Sequence, residues 1–142
     1  MRVQSVCVRK MPGVATVLAA MLLTGCAAVG DTLHDAADAG VAAVASSSLA
    51  LELHADGRAL TPLTDTVLAD AITELTDAST TVVELTPATA SEEQQRDDVE
   101  HALRTALDAV TGARAALARG GAMADWPAEL DAARAQLEEA AG

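Results

Sequence analysis

Residues 91–121 read SEEQQRDDVEHALRTALDAVTGARAALARGG, and this stretch decides the fold. Its apolar residues recur at alternating steps of four and three, which is the spacing of one face of an α-helix. They are Val99, Leu103, Ala106, Val110, Ala113 and Leu117. Ser91 and Gln94 fit a capping box at the start, and Gly120 and Gly121 are typical of a helix end. The pattern predicts a long helix whose apolar stripe packs against other helices.

Two details of this helix carry further expectations. Gly112 lies inside it at a cost of about 1 kcal/mol relative to alanine, so the helix either continues through this residue or kinks there. Glu100, Arg104 and Asp108 stand four residues apart and predict a chain of ion pairs on the face toward water.

Two segments upstream have the same helical spacing. The first is predicted over residues 31–54 with Gly57 as its C-terminal stop. Its stripe consists of Val29, Leu33, Ala36, Gly40, Val44, Ser47 and Leu51. The second is predicted over residues 62–85, with Thr61 as the N-cap before Pro62. Its stripe consists of Leu63, Val67, Ala71, Leu75, Ala78, Val82 and Leu85.

A short fourth helix is predicted to follow Asp125, which caps it. Its apolar positions are Trp126, Leu130, Ala133, Leu137 and Ala140. We expect Trp126 to pin this helix to the others, and Arg134 to pair with Glu138. Long helices joined by short turns must run up, down and up to share one core. The fold class is therefore all-α: a small antiparallel helical bundle of three long helices plus a short C-terminal helix.

The composition of the chain agrees with this class. Phe and Tyr are absent and there is one Trp, so Ala, Leu and Val must supply the buried area. Such a core suits closely spaced helices better than a sheet, which favours β-branched and aromatic residues. The lack of aromatic residues also argues against a deep ligand pocket, which usually has aromatic walls.

The charge is strongly acidic, with 21 Asp and Glu against nine Lys and Arg and a net charge of −12. All the acidic residues follow Cys26, where only six arginines and no lysine remain. Such a surface repels nucleic acid and anionic lipid head groups and favours cationic partners. Nucleic acid is therefore excluded as a partner, and solubility is the ordinary role of this charge.

The N-terminus has the order of an export signal. A basic start precedes an apolar segment, residues 14–23, and then small residues and a cysteine. The basic residues are Arg2, Arg9 and Lys10. A transmembrane helix needs roughly 20 apolar residues, so this segment is too short to span a membrane.

The sequence Leu23-Thr24-Gly25-Cys26 resembles the lipobox of bacterial lipoproteins. The resemblance covers about the first 26 residues and implies cleavage before Cys26, with a diacylglycerol on its thiol. Two acyl chains hold a protein stably in a membrane, since each buried CH₂ contributes ~0.8 kcal/mol. We thus expect a signal peptide at 1–25, a short acylated tether at 26–30 and a helical bundle domain at 31–142. Cys7 lies in the segment that would be removed.

Two Asp-x-x-His pairs are candidate metal ligands. Asp31 and His34, and Asp98 and His101, place a carboxylate and an imidazole one turn apart on helices predicted to run parallel. At 100° per residue, however, His101 lies about 160° from the apolar stripe and should face water, and His34 lies on the flank of its helix. No metal site and no cofactor are predicted.

Catalytic groupings are equally weak. Ser46, Ser47 and Ser48 stand near His54 and Asp56, but they lie in a helix and its cap, without a nucleophile elbow. They are typical of a small-residue seam that brings helices close together. Adjacent carboxylates point to different faces of a helix, which indicates solvated surface. No catalytic residue is predicted.

The sequence thus predicts a non-enzymatic, lipid-anchored protein with a structural or protein-interaction role on the extracytoplasmic face of the cell membrane. Its expected partners are the membrane, through acyl chains on Cys26, and a protein of the cell envelope. The alternative is an extracytoplasmic binding protein for a metal ion or a cationic ligand. A third hypothesis, a metal-dependent enzyme, requires histidines that point inward.

Overall fold

A computed structural model describes the backbone of residues 14–142 and the side chains of residues 29–142. Over this range the chain forms four α-helices. They are α1 (Val14–Ala55), α2 (Thr61–Glu84), α3 (Ala90–Ala118) and α4 (Trp126–Ala141). No strand occurs in the described part of the chain. The prediction of an all-α bundle of three long helices and a short fourth is confirmed.

The first helix begins earlier than expected. The sequence pattern placed its start at Asp31, whereas α1 begins at Val14 and ends at Ala55. Residues 26–30, expected to form a tether, therefore belong to this helix. No proline interrupts residues 14–30, and alanine and leucine, which favour helix, make up much of the segment.

The four helices form a closed ring. Each helix packs against the next along the chain, α4 packs against α1, and α1 also contacts α3 across the bundle. The connections are short, spanning residues 56–60, 85–89 and 119–125. Such short connections make consecutive helices antiparallel neighbours.

The predicted stripes of α1, α3 and α4 form the core. Leu33, Val44 and Leu51 of α1 are fully buried, and all six stripe residues of α3 are buried. Leu130, Ala133 and Leu137 complete the core from α4. Val29, Trp126 and Ala140 are half-buried against it.

The predicted buried face of α2 is wrong in its first two turns. Leu63 is 61% exposed and Val67 is half-buried, whereas Thr64 and Leu68 are fully buried. A polar residue is tolerated in this core position because the Thr64 hydroxyl donates a hydrogen bond to the Leu60 carbonyl at 3.3 Å. From Ala71 onward the buried residues of α2 are the predicted ones.

The N-caps also differ from the prediction. Thr89, not Ser91, caps α3: its hydroxyl accepts from the Glu92 backbone N–H at 3.2 Å, and the Glu92 carboxylate accepts from the Thr89 N–H at 3.0 Å. Two overlapping capping boxes exist in the sequence, and the earlier one is used. Thr61 is the first residue of α2 rather than its N-cap. Asp125 occupies the N-cap position of α4 but makes no side-chain cap bond.

The predicted C-terminal stops of α1 and α3 are confirmed. Gly57 and Gly120 have φ values of 69° and 63°, the left-handed conformation that glycine adopts without strain. The following N–H groups, of Arg58 and Gly121, bond back to the carbonyls of Leu53 and Ala116 respectively. This is the Schellman arrangement, which satisfies carbonyls at a helix end.

α3 continues through Gly112 without a break, which resolves the open question about this residue. On its water-facing side Arg104 pairs with Glu100, as predicted. Asp108 does not extend this chain of ion pairs in the described part of the chain. The predicted pair on α4 is present, with Arg134 Nε 3.3 Å from Glu138 Oε1.

Candidate functional site

The lipobox-like residues 23–26, with the predicted acylation residue Cys26, lie outside the residues whose side chains are described. Cys26 lies five residues before Asp31 in α1, and the helix rises about 36 Å from Asp31 to Ala55 at ~1.5 Å per residue. Features at the α1–α2 turn and features near Cys26 therefore lie at opposite ends of the bundle.

Among the described helices, the Val29–Ala55 part of α1 is long and apolar enough to cross a membrane, judged by length and composition. An apolar N-terminal helix of this kind is compatible with an export signal or a membrane anchor. In the bundle, however, its stripe packs against the other three helices, with Leu33, Val44 and Leu51 fully buried. This is the position of a central core helix.

His34 and His101, the two candidate metal-ligating histidines, are both exposed, as expected. His34 lies 3.5 Å from the carboxylate of Asp38, a neighbour on the same helix, and not against Asp31. His101 lies in an open depression between α3 and α4 with Asp98 and Glu139. Among the described residues no group of three or more His, Cys, Asp and Glu is arranged to hold a metal ion.

Two of the three serines predicted to form a small-residue seam are buried between helices. Ser47 and Ser48 are buried, and the hydroxyl of Ser47 donates to the Ala43 carbonyl at 2.9 Å. Exposed Ser46 makes the same bond to the carbonyl four residues back. The ring of His54 lies 3.2 Å from the Ala59 carbonyl in the α1–α2 turn, so this histidine contacts the turn and not a serine.

An exposed apolar groove lies between α1 and α2 next to their connecting turn. Leucines at 49 and 63 are 56% and 61% exposed, and Leu60 in the turn is 78% exposed. The groove encloses about 270 Å³. Its lining, which we call the apolar groove, consists of Ser46, Leu49, Ala50, Leu53, Ala59, Leu63, Thr64 and Val67.

The same groove continues along α1 and α2 toward the start of α1 and becomes acidic. Ser46 and Val67 border both the apolar groove and the next depression, which adds Asp70 and Glu74. Glu74 in turn borders a third depression, with Asp35 and Asp77. We call these four carboxylates, Asp35, Asp70, Glu74 and Asp77, the acidic groove. No basic residue lines any of the three depressions in the described part of the chain.

The charge of the chain is unevenly divided between its helices. Residues 31–84 contain ten carboxylates and a single arginine, Arg58, in the turn. The other five arginines that follow Cys26 all lie after residue 84. The face formed by α1 and α2 is therefore the more negative side of the bundle, with carboxylates that lack neighbouring cations along the helix.

One carboxylate of α2 is neutralised from outside that helix. Arg114 on α3 donates from Nε to Asp65 Oδ1 at 2.8 Å and from an Nη to Oδ2 at 3.2 Å. Hydrogen bonding by Arg114 lowers the pKa of Asp65, against a smaller opposing effect of desolvation. The same bonds raise the pKa of Arg114. The pair is half-exposed and ties α2 to α3.

Neither this ion pair nor the apolar groove is among the features predicted from the sequence. A signal for the pair exists, because Arg114 has no acidic residue three or four positions away and Asp65 has no basic one. A signal for the groove exists as well. Leu49 and Leu53 form a second apolar column on α1, four residues apart and off the core stripe.

The chain matches no protein-family model, no curated protein and no solved structure. Its function is therefore inferred from its own residues: the N-terminal pattern that ends at Cys26 and the groove between α1 and α2.

Proposed function

We propose that this protein is a lipid-anchored helical bundle on the extracytoplasmic face of the cell membrane, where it acts as a non-enzymatic protein-interaction module. The observation that carries the interaction role is the apolar groove. Exposed Leu49 and Leu63 line it, and exposed Leu60 lies in the adjoining turn, in a chain whose net charge is −12. Clustered apolar exposure on a soluble domain typically marks a surface that another molecule covers.

The anchor is supported by the resemblance of residues 23–26 to a lipobox. Diacylation of Cys26 after removal of residues 1–25 would attach the chain at the N-terminal end of the remaining helix, opposite the apolar groove. The ten carboxylates of residues 31–84 are repelled by anionic lipid head groups. Anchor and repulsion together favour a bundle that projects from the membrane with its groove accessible.

The anchor is tested by expressing the full-length chain in a bacterial host with an alkyne-tagged palmitate label. We expect labelled protein in the membrane fraction, with an intact mass that corresponds to a diacylated product starting at Cys26. Cys26→Ala should abolish the label and release the protein or leave an unprocessed precursor. Cys7→Ala is the matched control and should change neither label nor location.

Two results would overturn the anchor. One is a labelled and membrane-retained Cys26→Ala variant. The other is a wild-type product that keeps residues 1–25 or starts at Cys26 without added lipid mass.

A further inference from the structure

We propose that the groove between α1 and α2 binds a cationic amphipathic α-helix of a partner protein. The apolar residues of that helix enter the apolar groove, and its lysines or arginines lie over the acidic groove. This inference rests on the proposed interaction role and names the site and the chemistry of the partner.

The apolar groove has a lining suited to the apolar side chains of a bound helix. Leu49 and Leu53 stand one turn apart on α1, and Leu63 and Val67 stand one turn apart on the antiparallel α2. All four line one open depression of about 270 Å³. An amphipathic helix binds by laying its apolar face into a hydrophobic groove, and a depression lined by these four side chains can receive its apolar residues.

The acidic groove selects the charge of the partner. Asp35, Glu74 and Asp77 line one depression, and Asp70 joins Glu74 in the next. Opposite charges a few ångströms apart attract even at the dielectric constant of water, so several such pairs along one groove discriminate against an acidic or neutral helix. A membrane surface is also disfavoured as occupant, because anionic head groups meet the same carboxylates.

A second copy of this chain is a poor occupant. Four of the six arginines that follow Cys26 are already held in ion pairs with carboxylates of the same chain. Its helical faces are acidic overall, so they offer no cationic complement to the groove.

The groove also sets the length of the bound helix and the order of apolar and cationic residues along it. It runs from Thr32 to Leu53 on α1, about 32 Å at ~1.5 Å per residue, which matches a helix of roughly 20 residues. Its apolar end lies at the α1–α2 turn and its acidic part lies toward the start of α1. The bound helix therefore carries its largest apolar residues near the turn and its cationic residues along the remaining length.

The test uses full-length protein in phosphatidylcholine nanodiscs, with empty nanodiscs as the blank, and fluorescence polarisation of labelled 20-residue peptides. The probe is an amphipathic helix of Leu, Ala and Lys. One control peptide replaces every Lys by Glu, and a second has the same composition in a non-amphipathic order. We expect the cationic amphipathic peptide to bind at least tenfold more tightly than either control.

Two groove variants locate the site. Leu63→Gln combined with Val67→Gln should weaken binding at least tenfold, whereas Val83→Gln, which alters a 59% exposed residue of α2 outside the groove, should not. Neutralisation of Asp70, Glu74 and Asp77 to the matching amides should weaken binding at least tenfold. The same loss of charge at Asp98, Asp131 and Glu139, on α3 and α4, is the matched control. Circular dichroism verifies that each variant is folded.

Several outcomes would overturn the inference. Equal weakening by the two charge-neutralised triple variants would mean attraction to net charge rather than to the groove. Equal binding of the Glu peptide, or no binding of the Lys peptide, would reject a cationic helix. Self-association that Leu63→Gln with Val67→Gln abolishes, without peptide binding, would identify a second copy as occupant. Palmitate labelling of Cys26 is independent of all these readouts, so failure of the anchor is distinguishable from failure of the groove.

Discussion

A Cβ atom at Gly112 would lie 2.7 Å from Cη2 and 3.0 Å from Cζ3 of Trp126. The indole of Trp126 thus occupies the space that a side chain on α3 would fill. Glycine within a helix costs about 1 kcal/mol relative to alanine, and packing of the half-buried indole offsets this cost. Trp126 is the chain's single aromatic residue, and it fastens the start of α4 to α3.

Gly112→Ala should displace this indole, because the new methyl group takes its place. The ring becomes more exposed to water, so the tryptophan fluorescence emission should move to longer wavelength in the folded variant. The assignment is straightforward since the chain contains one tryptophan. Unchanged emission would show that the ring does not lie against Gly112.

A double-mutant cycle separates packing from helix propensity. With Trp126→Ala as background, the methyl at 112 meets no ring, so Gly112→Ala should raise the free energy of unfolding by about 1 kcal/mol. In the wild-type background this gain should be lost or reversed. Urea denaturation followed by circular dichroism measures both, and equal gains in the two backgrounds would contradict the packing role.

Two leucine truncations test which face of α2 is buried. Leu68→Ala removes a fully buried side chain and should lower the free energy of unfolding by about 2–5 kcal/mol. Leu63→Ala removes a 61% exposed side chain and should change it by no more than about 0.5 kcal/mol. A larger loss of unfolding free energy for Leu63→Ala than for Leu68→Ala in urea denaturation would support the buried face predicted from the sequence.

The start of α3 is tested by its two candidate caps. Thr89→Ala removes the hydroxyl that accepts from the Glu92 N–H and should destabilise the fold by about 0.5–2 kcal/mol. Ser91→Ala alters an exposed residue of the first turn and should have an effect of less than about 0.5 kcal/mol. A larger loss for Ser91→Ala than for Thr89→Ala would reject Thr89 as the cap.

The ion pair between Asp65 and Arg114 has a defined pH dependence. Because the folded pKa of Asp65 is lowered from its ordinary 3.8, the stabilisation is present above that value and is lost as pH falls through the lower folded pKa. Asp65→Asn should therefore be less stable than wild type at pH 7, and the difference should disappear on acidification. The pair is half-exposed, so the effect is small.

Asp131→Asn is the control, since it removes one charge from an exposed position on α4. Thermal denaturation of the three proteins across pH 2–7 gives the comparison. A stability difference between wild type and Asp65→Asn that stays constant over this range would contradict a linked titration of Asp65.

Much of the bundle was predictable because helical periodicity is a local property. The stripes of α1, α3 and α4 became the core as predicted, and Gly57 and Gly120 end their helices as predicted. The local sequence pattern gave the wrong N-cap for α3, because two capping boxes overlap at its start. Thr89 with Glu92 and Ser91 with Gln94 both fit a capping box, and only the packed helix selects one.

The sequence alone determined the all-α class, the four helices and the acidic character of the chain. Helical periodicity and helix propensity depend on residues close together in the chain, and net charge depends only on composition. Only the tertiary structure decided which face of α2 points inward, that Trp126 lies over Gly112, that Arg114 reaches Asp65, and that Leu49 and Leu63 form one groove. Each of these depends on the rotation and separation of two packed helices. Those two quantities are set by the fit of all the core side chains together.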